Sequence, residues 1–214
     1  MTHYKYPRTP HLPWSPGAAN DDVRLIDTRC FTGKNVIVTE KMDGENTSLY
    51  ADHMHARSLD SRHHPSRDWV KQLHARIAHQ IPPAWRICGE NVYAKHAIAY
   101  EQLPSYFFVF SLWDNQNRCL SWPETLEWAE RLALQTPRIF YQGVWDEKRL
   151  QSLSFDTDKI EGYVVRLSAA FPFADFPNAV AKWVRSQHVQ NNQHWMHSPI
   201  TPNRLTKKPV HKHA

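Results

Sequence analysis

Apolar residues in this chain fall in short runs bounded by turn residues, the pattern of strands with a few helices between them. Val36, Ile37, Val38 and Thr39 are β-branched in succession and predict a strand. It closes on Glu40, Lys41, Met42, Asp43, Gly44 and Glu45. Residues 47–51 and 54–57 predict two strands around a turn at Asp52, and further strands are expected at 86–94, 107–113, 138–145, 160–167 and 179–185. A helix is expected over 68–80, with Trp69, Leu73 and Ile77 on one face and Pro82 and Pro83 ending it. A second opens on Ser121 and Glu124 as a capping box, with Pro123 in its first turn and Leu126, Ala129, Leu132 and Ala133 as its buried stripe. The connections are too irregular for alternating βαβ units, so the expected class is α+β with antiparallel sheets.

The two ends read differently. Pro7, Pro10, Pro13 and Pro16 recur every third residue, the period of a polyproline II helix. Residues 1–22 are therefore expected as an extended, ordered surface arm, with a strap over a substrate groove through Arg8, His11 and Trp14 as the other reading. Residues 198–214 carry Pro, Lys and His without apolar periodicity and predict a flexible basic tail. Between them, 23–197 form one domain, and no internal repeat is present.

Composition narrows the partners. The 214 residues hold 26 Lys plus Arg against 21 Asp plus Glu, a net charge of +5, which suits an anionic partner. Nine Trp and nine Phe add stacking surfaces of the kind exposed bases bind. Cys30, Cys88 and Cys119 are widely separated and form no CxxC pair, so neither a disulfide framework nor a zinc site is indicated. No apolar run reaches the ~18 residues of a membrane span, and a reduced cytoplasmic setting is expected.

Lys41 stands at a strand end, immediately before a carboxylate and a glycine whose backbone can approach a phosphate closely. A lone lysine there is ordinarily a solvated charge. Four later segments change that reading: Gly89-Glu90-Asn91 after an apolar strand, the aromatic strand Phe107-Phe108-Val109-Phe110, Glu161-Gly162-Tyr163-Val164-Val165, and Val180-Ala181-Lys182-Trp183. In this order they resemble motifs I, III, IIIa, IV and V of the covalent nucleotidyltransferases, which include DNA ligases, RNA ligases and mRNA capping enzymes. Glu40 before the lysine, Asn46 five after it and the later Ala56-Arg57-Ser58 look most like the RNA ligase 2 type. The resemblance covers about residues 36–190.

The resemblance implies a nucleotidyltransferase adenylation fold, antiparallel sheets flanked by helices. Only about thirty residues follow Lys182, so neither an OB-fold domain nor the helical C-terminal domain of RNA ligase 2 types is expected. It further implies an ATP-dependent RNA ligase joining 5′-phosphate and 3′-hydroxyl RNA ends through a lysyl-AMP intermediate, with Mg²⁺ or Mn²⁺. Lys41 would be the nucleophile, Glu161 a metal ligand, and Lys182 a cation for charge developing on the α-phosphate. Glu40 would accept from the adenine amino group, Glu90 would hold the ribose, Phe110 would stack on adenine, and Asn46 and Arg57 would lie near the phosphate and the RNA end. With a reference pKa of about 10.4, about one lysine in two thousand is neutral at pH 7, so nearby positive charge from Lys182 and the metal is expected to favour the attacking amine.

Motif V departs from the family pattern. The second of its two lysines is replaced by Val184, and the next cation, Arg185, falls on the opposite face by strand alternation; Arg185 and His188 are the candidates to replace it. The RNA-end recognition given by the expected missing domain would come from a protein partner or be absent. Two alternatives stand beside the ligase: a module that binds nucleotide or RNA ends without full sealing, and an adenylyltransferase that stops at the adenylated end. Phe108, Trp69, Trp85, Trp128, Trp183, His194, Trp195 and Met196 read as packing groups. His53, His55, His63, His64, His211 and His213 read as surface histidines rather than metal ligands.

Overall fold

The computed structural model describes residues 2–186 and 199–206. The β-branched run forms β1 (Asn35–Glu40), followed by β2 (Glu45–Leu49) and β3 (Met54–Ala56), which pair around the Asp52 turn. Next come α1 (Asp68–Ile77), β4 (Arg86–Asn91), β5 (Phe107–Trp113), β6 (Arg118–Cys119) and α2 (Trp122–Arg131). The chain continues through β7 (Ile139–Val144), α3 (Glu147–Gln151), β8 (Gly162–Leu167), β9 (Phe171–Pro172), α4 (Phe176–Ala179) and β10 (Val180–Val184). The elements not anticipated, β6, β9, α3 and α4, are two to five residues long, too short to carry a period.

Two antiparallel sheets result, in the orders β10-β8-β1-β7 and β3-β2-β4-β5-β6-β9. This is the expected α+β architecture. In the four-stranded sheet, Val36, Val38, Tyr163, Val165 and Ala181 pack with Leu12, Phe31 and Leu150 on one face. Their neighbours Thr39, Val164, Arg166, Val180 and Lys182 line a cavity on the other, as a period of two requires. The six-stranded sheet puts Leu49, Ile87, Phe107, Val109 and Leu112 against α1 and α2, and turns Asn46, Glu90, Phe110 and Trp113 toward the same cavity. Close approach of β8 and β10 depends on Gly162, where a Cβ would lie 2.0 Å from the Trp183 carbonyl oxygen.

Helix α1 runs as expected but tightens into a 3₁₀ turn over Ala78–Gln80, with Val70, Leu73 and Ile77 buried and Trp69 at the margin. At α2 both hydrogen bonds of the Ser121–Glu124 capping box form, an arrangement worth about 1 kcal/mol. Its buried stripe is Trp122, Thr125, Ala129 and Leu132; Ala129 and Leu132 are buried as expected, whereas Leu126 and Ala133 are not. Leu126 is 39 % exposed, because it lies one residue, ~100°, off that row. Ala133 follows the helix in the left-handed region at φ 52° and is exposed.

Both ends of the described chain are tied down. Residues 10–12 run extended between 23–25 and β10: Leu12 N–H donates to the Lys182 carbonyl (2.8 Å), Lys182 N–H to that of Pro10 (2.9 Å), and His11 N–H to that of Val23 (2.7 Å). Residues 199–206, placed by the sequence reading in a flexible tail, instead pack on the 92–106 segment. Asn203 is buried, its amide accepting from Tyr100 N–H (2.9 Å) and donating to the Val92 carbonyl (2.8 Å), while Leu103 N–H donates to the Arg204 carbonyl (2.9 Å). A polar side chain satisfied on both sides needs no apolar period to dock. His188, His194, Trp195, Met196, His211 and His213 lie outside the described residues.

Candidate active site

Lys41 follows β1 directly, and its N–H donates to the Gly162 carbonyl at 2.9 Å, so the chain stays registered against β8 for one residue more. That registration sets the side chain beside the residue preceding β8. Lys41 Nζ donates to Glu161 Oε2 at 2.5 Å, with the two side chains 23 % and 1 % exposed. Asp43 is buried and clamped by a loop: its N–H donates to Tyr100 Oη (2.9 Å), and its Oδ2 accepts from Ile98 N–H (2.7 Å). Gly44 admits the close pass of the next turn, since a Cβ there would lie 2.4 Å from the Asn91 carbonyl oxygen.

Between the sheets lies a cavity of about 210 Å³ onto which Glu40, Lys41, Asn46, Arg57, Glu90, Phe110 and Lys182 all open. Glu161 stands behind Lys41, reaching the cavity through the ion pair. Arg185 does not line it; its N–H donates to the Glu161 carbonyl (3.0 Å) one residue past the end of β10. The expectation that Arg185 binds the nucleotide is therefore corrected. Alternation turns it away from the face that Lys182 presents, and no bulge interrupts the β8–β10 register.

A bulge does act in β5. Cys88 pairs with Ser111 and Gly89 with Val109, leaving Phe110 as the extra residue. Parity changes there: Phe107, Val109 and Leu112 face the helices, whereas Phe110 and Ser111 both reach the cavity. Phe108 packs with Met42, Val92 and Leu103, consistent with its reading as a core residue. The bulged carbonyl is held by Arg166, whose guanidinium donates to the carbonyls of Phe110 (3.1 Å) and Leu120 (2.6 Å).

The carboxylates govern the charge of the site. Burial alone would depress the Lys41 ammonium, but Glu161, Glu90 and Asp43 outweigh it and hold its pKa above the ordinary lysine range. The expected shift toward the neutral amine is thus absent from the nucleotide-free protein. Burial, then the neighbouring Lys41 charge, pushes Lys182 down. Burial likewise drives Glu90 up to about 8, with Glu161 and Asp43 adding to the rise against the opposing charge of Lys41. Burial raises Glu40, and Arg138, whose Nε is 3.7 Å from Glu40 Oε2, partly offsets it.

Three residues of this neighbourhood escaped sequence reading. Arg166 was legible in principle, two residues beyond Val164 on the same strand face. His96, whose pKa burial lowers despite the pull of Asp43, Glu45 and Glu161, arrives from a loop without period. Tyr6 lies far upstream of the motifs yet lines the cavity. The histidines read as surface residues include one correction: His55 is buried, with Nδ1 2.5 Å from the Ala56 carbonyl oxygen.

Among the described residues no group of three or more His, Cys, Asp or Glu is arranged to hold a metal ion by itself. The donors beside Lys41, Glu161 above all, are carboxylate oxygens. This set fits a hard divalent cation that takes one or two protein oxygens and completes its shell with water and substrate phosphate.

Comparison with known proteins bears on the family and the fold. The family model described as RNA ligase matches residues 34–184. Among solved structures, Naegleria gruberi RNA ligase with PPi superposes at a TM-score of 0.54 and 16 % identity, over 72 % of this chain and 50 % of that one. Its E227A mutant with ATP and Mn gives 0.54 and 16 % over 73 % and 51 %. A protein from Aquifex aeolicus provisionally described as an ATP-dependent DNA ligase gives 0.51 and 25 % over 72 % and 44 %. The chain thus spans about half the length of the ligases it superposes on. Comparison with curated proteins gives no match. With five motifs gathered on one cavity and the family model covering most of the chain, this protein belongs to the RNA ligase family.

Proposed function

We propose that this chain is an ATP-dependent RNA ligase acting through an AMP linked to Lys41. The observation that carries the reading is the Lys41–Glu161 pair at 2.5 Å, opening onto a cavity shared with Glu40, Glu90, Phe110, Asn46, Arg57 and Lys182. Phe110 offers a face to adenine, Glu40 an acceptor to its amino group and Glu90 a partner to the ribose hydroxyls. Because guanine would oppose its own carbonyl to Glu40, ATP is preferred to GTP.

Lys41 first gives up a proton to solvent, to which its side chain is 23 % exposed. Its neutral nitrogen then forms a bond to the α-phosphorus while the bond from that phosphorus to the bridging oxygen breaks, releasing pyrophosphate. An RNA 5′-phosphate oxygen next bonds to the AMP phosphorus as its bond to Lys41 nitrogen breaks, and a 3′-hydroxyl, losing its proton to solvent, then displaces AMP to form the phosphodiester. Lys182 and Arg57 neutralise phosphate charge during these transfers. A divalent cation bound by Glu161 would polarise the phosphate and remove part of the negative charge that now stabilises the ammonium.

A second reading, transfer that stops at the adenylated RNA end, is favoured by Val184, a buried apolar residue where the family pattern has a second cation. One assay separates them. Protein incubated with α-labelled ATP and Mg²⁺ should carry label through denaturation, and Lys41→Ala should carry none. Added 5′-phosphorylated RNA should discharge the label and yield sealed product; accumulation of adenylated RNA alone selects the second reading. An unlabelled wild type would sink both, and equal sealing of DNA would remove the restriction to RNA.

A further inference from the structure

The family region begins at residue 34, yet the cavity is walled on one side by Tyr6, Pro7 and Thr9. This upstream segment touches three residues that the proposed function needs, Phe110 in β5, Lys182 in β10 and Arg57 just past β3. The Tyr6 ring packs edge-on against Phe110, with centroids 5.3 Å apart at 70°, and against Phe176 at 5.3 Å and 86°. The Tyr6 carbonyl accepts from Arg57 Nε at 3.5 Å. Four residues on, the extended segment pairs with both backbone polar groups of Lys182 through Pro10 and Leu12. His11, buried between them, shares a hydrogen bond with Ser15 Oγ through Nδ1 (2.8 Å), and its Nε2 lies 3.3 Å from Asp22 Oδ2.

We propose that residues 6–12 are a built-in part of the nucleotide site, a strap in which Tyr6 is the positioning residue for the Phe110 platform and the Arg57 guanidinium. The inference rests on the nucleotide-binding reading above and extends it to a segment outside the family region. Phe110 is the bulged residue of β5, with Arg166 holding its carbonyl and Tyr6 its ring. Without the Tyr6 ring, the Phe110 side chain gains rotamer freedom that ATP binding must then remove. Arg57 is otherwise exposed and starts from a short edge segment, so the Tyr6 carbonyl restricts where its guanidinium points.

Two measurements test this. ATP affinity, read by calorimetry, and the KM and kcat of Lys41-AMP formation are compared in wild type, Tyr6→Leu and Tyr6→Phe, with thermal unfolding as the check on folding. Tyr6→Leu should weaken ATP binding and raise KM roughly threefold to tenfold with kcat within about twofold, and Tyr6→Phe, which keeps the ring edge, should restore wild-type values. In the wild type, hydrogen exchange at the amides of residues 8–12 should slow on ATP saturation; this readout decides the matter if Tyr6→Leu does not fold. Unchanged affinity in a folded Tyr6→Leu variant, or unchanged exchange where that variant cannot fold, overturns the strap, and normal Lys41 labelling beside it leaves the ligase reading standing. Weakened binding in Tyr6→Leu without any covalent label in wild type overturns the ligase reading and keeps the strap. Absence of ATP binding by the wild type overturns both.

Discussion

Lys41 Nζ lies 2.5 Å from Oε2 of Glu161, joining the end of β1 to the start of the strand beside it, and the carboxylate is almost completely withdrawn from solvent. Paired in this way, the lysine is held as an ammonium. Under the proposed mechanism, attack on phosphorus would depend on what enters the cavity and competes for that carboxylate.

Titration checks this directly. With its folded pKa raised by Glu161, Glu90 and Asp43, Lys41 contributes stability that is fully present below the unfolded lysine value and lost as pH rises through the higher folded one. In Glu161→Gln the Lys41 pKa should fall, read by NMR of labelled lysine side chains in the nucleotide-free protein. An unmoved Lys41 resonance would mean that Glu161 does not set its charge.

Glu90 gives the opposite slope. Its folded pKa of about 8 lies above the ordinary carboxyl value, burial being the first cause and Glu161 and Asp43 further ones. The folded state then holds more protons than the unfolded one between about 4.5 and about 8, so stability falls across that window as pH rises. Glu90→Gln should raise Tm relative to wild type at pH 8.5 and leave it little changed at pH 5. Equal Tm values at pH 8.5 would contradict the burial argument.

Phe110 owes its place to the β5 bulge. If its ring stacks on adenine, Phe110→Ala removes about 1–3 kcal/mol of base contact and should raise the ATP KM roughly fivefold to a hundredfold, with little loss in thermal stability because the ring is only partly buried. Arg166→Met should move the same constant in the same direction by releasing the bulged carbonyl. Adenylation kinetics at varied ATP measure both.

Asn203 acts at one remove. Its amide accepts from Tyr100 N–H and donates to the Val92 carbonyl, while the Tyr100 hydroxyl accepts from Asp43 N–H. Asn203→Ala strands buried polar groups at about 1–3 kcal/mol each, so Tm should fall and exchange at residues 94–103 should quicken. Intact exchange protection there would show that the loop holds Asp43 without help from 199–206.

Much of this protein is determined locally. The β-branched run before Lys41, the capping box at Ser121 and the alternation through Val164 and Lys182 follow from steric and hydrogen-bonding preferences of a few neighbouring residues, and the order of five motifs was enough to indicate one cavity. Tertiary structure decided what no period encodes. The Phe110 bulge reverses strand parity and depends on a pairing partner; Arg185 is aimed by the strand it leaves; Tyr6 and Asn203 come from segments whose order rests on single hydrogen bonds and ring contacts with distant residues. The charge of Lys41 belongs to this second group, because it is the sum of burial and carboxylates that only the folded chain brings within reach.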